Sequence, residues 1–232
     1  MKCSWFFSLI LFLILPQYAF AFRLDPMSVS IELSENQKHV SFIIENESTQ
    51  PLPVQINLFE RNMKVSGEDV LKETNEVIAF PDQLIIPPEQ KRSVKVTWSG
   101  KSNDLKSEKA FRFVAEQLPL DLDQEKKNKT GIKMLLKYVA ALYVNPKNSD
   151  FQIKCEYESS ELVCVNEGNK HKIINFKSLV LQDGSNKVEF LPSDLNKVNG
   201  ENILAHGKRV FLLNKDGLNK LKSPVKVSFK FE

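Results

Sequence analysis

Strict alternation of apolar and polar residues constrains this chain more than any other feature. Val29, Ile31 and Leu33 alternate with Ser30 and Glu32; Val40, Phe42 and Ile44 follow, then Val54, Ile56 and Leu58. Val94, Val96 and Trp98 repeat the pattern, as do Phe111, Phe113 and Ala115. A period of two puts one row of side chains in a core and the other in water, so each run reads as a half-buried strand. Turn-rich stretches separate the runs at Ser34 to Lys38, Asn46 to Pro53 and Pro87 to Lys91. No segment combines a 3.6-residue period with caps. Many short strands at this spacing predict antiparallel sandwiches of the immunoglobulin-like kind.

The second half repeats the pattern more weakly. Phe151-Gln152-Ile153 opens a strand; Ile174 and Phe176 precede Leu179 and Leu181, with a turn at Asp183-Gly184 before Val188 and Phe190. Val210-Phe211-Leu212 follows, and Val225, Val227, Phe229 and Phe231 alternate at the end. Between the halves, Asn145-Pro146-Lys147-Asn148 breaks the pattern, because proline cannot donate to a ladder and restricts the residue before it. The expected division is residues 22–145 and 146–232, preceded by 1–21. That first segment has Lys2 as its only charge, an apolar run from Trp5 to Leu15, and an Ala19-Phe20-Ala21 exit. It reads as a secretory signal peptide, too short for a membrane span. The expected product is therefore exported and not inserted in a membrane.

Export fixes the chemistry of the cysteines. Cys3 leaves with the leader, so Cys155 and Cys164 remain, and a structural disulfide is expected in an oxidising compartment. A hairpin turning at Ser159-Ser160 puts the two opposite each other on a non-hydrogen-bonded pair, with Cα atoms about 4.5 Å apart. A redox site would want C-x-x-C and a metal site more ligands.

The search for catalysis finds nothing that converges. His39, His171 and His206 are scattered, and neither H-E-x-x-H nor G-x-S-x-G nor a glycine-rich phosphate loop occurs. No enzyme and no cofactor are expected. The 32 basic and 29 acidic residues are interspersed, so no basic stripe points to nucleic acid. Asn46-Glu47-Ser48 and Asn128-Lys129-Thr130 match glycosylation sequons. Arg61 to Asn75 is polar without a strand pattern and reads as a surface loop; Asp121 to Thr130 is polar too.

One strand stands apart. Ile132 to Val144 is apolar on much of both faces: Ile132, Met134, Leu136 and Tyr138 form one row, and the other continues into Val139 and Ala141. Two readings are open: a central sandwich strand, or an edge strand that offers its backbone and apolar row to a partner strand.

An ordered set of segments resembles the periplasmic chaperones of pilus assembly, the chaperone–usher pathway. Leu24-Asp25-Pro26 through Ile31-Glu32-Leu33 is similar to that family's opening strand. Phe80-Pro81, Leu84-Ile85-Ile86-Pro87-Pro88-Glu89-Gln90 and Val94-Lys95-Val96 resemble its proline, strand, turn and basic strand. Phe111-Arg112-Phe113-Val114-Ala115-Glu116-Gln117-Leu118-Pro119 is similar to the next strand, and Tyr143-Val144-Asn145-Pro146 to the domain junction. Val165 to His171 and Asp183-Gly184 also fit, so the resemblance spans the chain after residue 21.

The resemblance implies an all-β chain of two immunoglobulin-like sandwiches in an L shape. It implies that the strand Ile132 to Tyr138 lends its row to pilus or fimbrial subunits lacking a strand, without ATP, for delivery to an outer-membrane usher. A free edge would also admit a self-dimer. The family grips the subunit's terminal carboxylate with an Arg and a Lys. Those positions fall here on Ser28, or Ser30 after a slip of two, and on Ala141. Loss of such a charge-assisted clamp costs about 1.5–3 kcal/mol. The candidate replacements are Lys137, about 13 Å along the strand from Ala141, Arg112 and Arg23. The competing reading is a secreted immunoglobulin-like binding or adhesion module that handles no subunits.

Overall fold

The computed structural model describes residues 22–33, 37–100, 105–119 and 134–232. The leader and the second sequon, at Asn128, lie outside that set.

The first sandwich holds ten strands: β1 (Phe22–Asp25), β2 (Ser28–Glu32), β3 (His39–Asn46), β4 (Leu52–Met63), β5 (Asp69–Glu73), β6 (Val77–Phe80), β7 (Gln83–Ile86), β8 (Lys91–Trp98), β9 (Lys109–Gln117) and β10 (Lys137–Asn145). One sheet runs β1-β3-β8-β6 and the other β2-β10-β9-β4-β5, with β7 also on β4. The alternating rows do what their period requires. Phe42, Ile44, Val54, Val94, Val96, Phe111 and Phe113 are buried in one cluster. Phe42 and Phe113, from opposite sheets, stack with ring centres 4.0 Å apart. The chain changes sheets between β1 and β2, across the cis Asp25–Pro26 bond, where a residue without an N–H leaves no ladder donor unpaired.

The second sandwich has β11 (Ile153–Glu158), β12 (Glu161–Asn166), β13 (Lys172–Ile173), β14 (Phe176–Asp183), β15 (Asn186–Phe190), β16 (Asn202–Ile203), β17 (Lys208–Leu212) and β18 (Lys226–Phe231). Sheets β11-β12-β17 and β15-β14-β18 enclose Leu162, Phe176, Leu179, Phe190, Leu195 and Phe211, and β13 pairs with β16. Cys155 and Cys164 are opposite one another and bonded, with Cα atoms 4.1 Å apart. Ser159 and Ser160 both take positive φ, 51° and 71°, as the two centre residues of a type I′ turn must.

Two sequence expectations need correction, and one motif match is structural. Arg61 to Asn75 is not a loop: β4 runs on to Met63 and pairs with β5 as a hairpin. Four of the five β5 positions are exposed, so no apolar row advertised a strand. Among the described residues the strand expected from Ile132 begins at Lys137; Met134 to Leu136 precede it, and Ile132 lies outside the described residues. The sequon at Asn46 is unusable, because that side chain is 1% exposed. Its Nδ2 donates to Gln50, Ile86 and Pro87 carbonyls, and its Oδ1 accepts from Ser48.

Candidate functional site

β10 has two characters along one strand. On one flank it pairs with β9 throughout, from Lys137 opposite Glu116 to Val144 opposite Lys109. On the other flank the parallel partner β2 arrives only at Ala141, which stands beside Ser28, and continues to Asn145 beside Glu32. Ala141 N donates to Met27 O at 2.9 Å, which seals the start of that ladder. Lys137 to Ala140 therefore carry an unpaired flank among the described residues. The edge and central readings are each true of one half.

Side chains divide by face. Ala140, Leu142 and Val144 are fully buried in the first core, and Leu136 and Tyr138 pack against it partly covered. The Tyr138 ring meets Phe22 edge-on, with centres 4.6 Å apart. Leu136 is tied in by its carbonyl, which accepts from Gln117 N at 2.9 Å. Met134 is 78% exposed. On the opposite face Val139 is exposed, while Ala141 and Tyr143 join Ala110 and Leu204 of the second sandwich in a small cluster.

This second face opens on a cavity of about 530 Å³ lined by Ser28, Arg61, Asp69, Arg112, Ala141 and Tyr143, with Ile173 and Asn202 from the second sandwich. Of the three candidate basic residues, only Arg112 is there, directly across β10 from Ser28 because both flank Ala141. Arg23 is exposed on β1 in the other sheet, opposite Glu45. Lys137 lies up the strand, 3.8 Å from Glu116. Arg61 and Asp69 escaped notice because they sit in the hairpin read as a loop.

The cavity walls are wired together. Arg61 and Arg112 both bind Asp69, at 2.8 and 2.6 Å. The Tyr143 hydroxyl accepts from Arg61 Nη1 at 3.3 Å and from Asn202 Nδ2 at 2.7 Å. Burial pushes that hydroxyl above its ordinary range, while the positive charges of Arg61 and Arg112 pull the other way. His171 stacks on Tyr143, centres 3.8 Å apart, and its Nδ1 lies 2.6 Å from the buried Glu108 carboxylate. The hairpin tip reaches the second sandwich: Val65 O accepts from Val210 N, and Ser66 O from Arg209. Gly67 takes φ +98°, a conformation that L side chains rarely adopt, and lies against the Arg209 guanidinium.

Fold and site together define a class: a two-sandwich all-β protein whose accessible chemistry is a strand edge beside a basic cleft. Residues 23–150 match the family described as pili and flagellar-assembly chaperone, PapD N-terminal domain. The chain belongs to that family. No curated protein matches it by sequence. Among solved structures it is similar to the class 5 fimbriae chaperone CfaA, at 16% identity and a TM-score of 0.61, covering 91% of this chain and all of that one. It is also similar to a chain of the CsuC–CsuE chaperone–tip adhesion subunit pre-assembly complex of Acinetobacter baumannii, at 17% identity and 0.58, covering 82% and 89%. The Escherichia coli chaperone DraB gives 14% and 0.57, covering 84% and 87%. At these identities the likeness is one of fold. Among the described residues no helix is long and apolar enough to cross a membrane.

Proposed function

We propose that this chain is a periplasmic chaperone that holds pilus subunits by lending them the edge half of β10 and the segment leading into it, and then passes them to an outer-membrane usher. The observation that carries the reading is the unpaired flank of Lys137 to Ala140 beside partly covered Leu136 and Tyr138. A subunit lacking a strand has an open groove; an added strand satisfies its backbone and fills the groove with alternate side chains. The donor row is Ile132, Met134, Leu136 and Tyr138. Exchange of one strand for another needs no nucleotide. The family membership supports a chaperone role, and chaperone–subunit complexes among the structural neighbours, including the SafA pilin with the SafB chaperone, support subunits as the partner.

In this reading residues 1–21 are the export signal, and 22–145 and 146–232 are the two domains, a division that two separate hydrophobic clusters support. A second copy of the chain is the rival occupant of the edge. The test is co-purification from the periplasm of a tagged chain, with mass spectrometry of what travels with it. Small secreted subunits that disappear with Leu136→Asp support the proposal. Subunits retained by the folded variant, or no companion when subunits are co-expressed, count against it.

A further inference from the structure

The two sandwiches meet at two places of different character. The first adjoins the connection between them. Asn169 Nδ2 donates to Lys106 O at 2.9 Å and to Asn148 O at 3.0 Å, and Glu108 N donates to Asn169 O at 2.9 Å. Beside them His171 stacks on Tyr143, Asn202 bonds the Tyr143 hydroxyl, and Leu204 packs against Ala110 and Ala141. On the first sandwich these groups belong to β10, to the start of β9 opposite it, or to the residues just before β9. β10 runs directly into the connecting segment 146–149. Contacts so close to a hinge act as its pivot, with little leverage against rotation about it.

The second place is remote from that hinge. The β4–β5 hairpin turns between Met63 and Asp69. In the order β10-β9-β4 its longer strand lies two places from β10, about 10 Å across the sheet. Its tip rests on the edge of the sheet β11-β12-β17. Val65 O accepts from Val210 N at 3.0 Å, Ser66 O accepts from Arg209 Nη2 at 3.4 Å, and Met63 Sδ is 3.5 Å from Arg209 Nη1.

The two sides of this contact are unequally fixed. Arg209 is 4% exposed; Glu201 holds Nη2 at 2.7 Å, Asn202 O accepts from Nη1 at 2.9 Å, and the Phe211 ring lies beneath the guanidinium. The hairpin brings two backbone carbonyls and a thioether. Val65 at its tip and Val70 and Leu71 on its outer strand stay exposed, and β5 has no further neighbour among the described residues. A contact of a few acceptors at the end of an edge hairpin opens at far lower cost than either core.

We propose that the β4–β5 hairpin is a releasable strap between the sandwiches, with Arg209 as its pin. With the tip on Arg209 and Val210 the angle of the second sandwich is fixed. With the tip lifted, that sandwich turns on residues 146–149 about the Asn169 pivot. The surface beside the open flank of β10 is built from both sandwiches, with Ser28 and Ala141 from one and Ile173 and Asn202 from the other. The strap keeps that surface assembled.

Spin labels on Ser41→Cys and Lys226→Cys, exposed positions in the two sandwiches, report the angle through the distribution of distances between them in the purified chain. One narrow peak is expected with the strap intact, and a broad distribution in that background overturns the proposal. Arg209→Gln removes the pin. The population outside the peak should then rise about tenfold, the worth of one hydrogen bond from a charged donor. His171→Gln strikes the pivot and should leave the peak narrow. A distribution that Arg209→Gln leaves unchanged, or that His171→Gln broadens equally, overturns the proposal. Should Arg209→Gln not fold, Val210→Pro decides. β17 is an edge strand and the lost N–H is the one given to Val65, so the ladder with β12 keeps its bonds. Broadening by Val210→Pro supports the strap, and an unchanged peak overturns it.

Discussion

Ala141 on β10 lies beside Ser28 on β2, and this pair marks the point where β10 stops being an edge strand and becomes an interior one. Among the described residues, Lys137 to Ala140 pair with β9 alone, and Ala141 to Val144 pair with both β9 and β2. Leu136, just ahead of β10, and Leu142 within it both pack against the first core, on either side of that boundary, and should respond differently to the same substitution.

Leu136→Asp and Leu142→Asp make the comparison. Leu142 is fully buried between two flanking strands. A carboxylate there has no partner, so the chain should fail to fold. Leu136 is only partly covered, and its replacement should cost about 1 kcal/mol, roughly half the value of a fully buried leucine. Urea unfolding gives the stabilities, and subunit co-purification gives the loss of binding expected of Leu136→Asp alone.

Asn166 should be among the most sensitive residues of the second sandwich. It is fully buried. Its Nδ2 donates to the carbonyls of Lys170, Ile203 and Leu204, and its Oδ1 accepts from the amides of Gln152 and Gly168. Asn166→Ala strands several buried backbone groups at once and should cost about 3–5 kcal/mol in urea unfolding.

Removing the disulfide should weaken one sandwich and spare the other. The bridge closes a nine-residue separation inside the β11–β12 hairpin. Loop-closure entropy gives it about 2–3 kcal/mol. In protein lacking residues 1–21, Trp98 is the sole tryptophan and lies in the first core. Reduction, or Cys155→Ser with Cys164→Ser, should lower the far-UV dichroism transition while the Trp98 fluorescence transition holds.

Tyr143 gives the fold an alkaline limit. Burial raises its hydroxyl above the ordinary 10.0 in the folded chain, so the unfolded chain releases the proton first. The stability contributed by the neutral phenol is complete below pH 10 and declines as pH rises beyond it. Tyr143→Phe should lose stability at pH 7, because Asn202 and Arg61 lose their acceptor. It should also show a shallower decline between pH 10 and 12 than wild type, read by urea titration at each pH.

The contrast between β4 and β5 explains what a sequence of this kind discloses. Val54, Ile56 and Leu58 announce β4 because one of its faces is the core. β5 has no such face, so nothing in its residues separates it from a loop, and with it went Arg61 and Asp69. The Cys155–Cys164 pairing was legible because hairpin register is local arithmetic. Whether β10 has one neighbour or two was not legible, since that depends on where β2 lands after the chain crosses sheets at Pro26. Arg112 could be assigned to a face by alternation, but its nearness to Ser28 is a relation between strands far apart in sequence.

The partial coverage of β10 by β2 also works as a ruler. A strand added to the open flank occupies the same lane as β2 and cannot advance past Met27, whose carbonyl already holds Ala141 N. From Lys137 to Ala140 that lane is about 10 Å long. An open edge alone would let a guest strand slide in steps of two residues. A lane closed at one end gives sliding a physical stop, so the guest's register is set by where its end meets β2 and not only by how well its side chains fit.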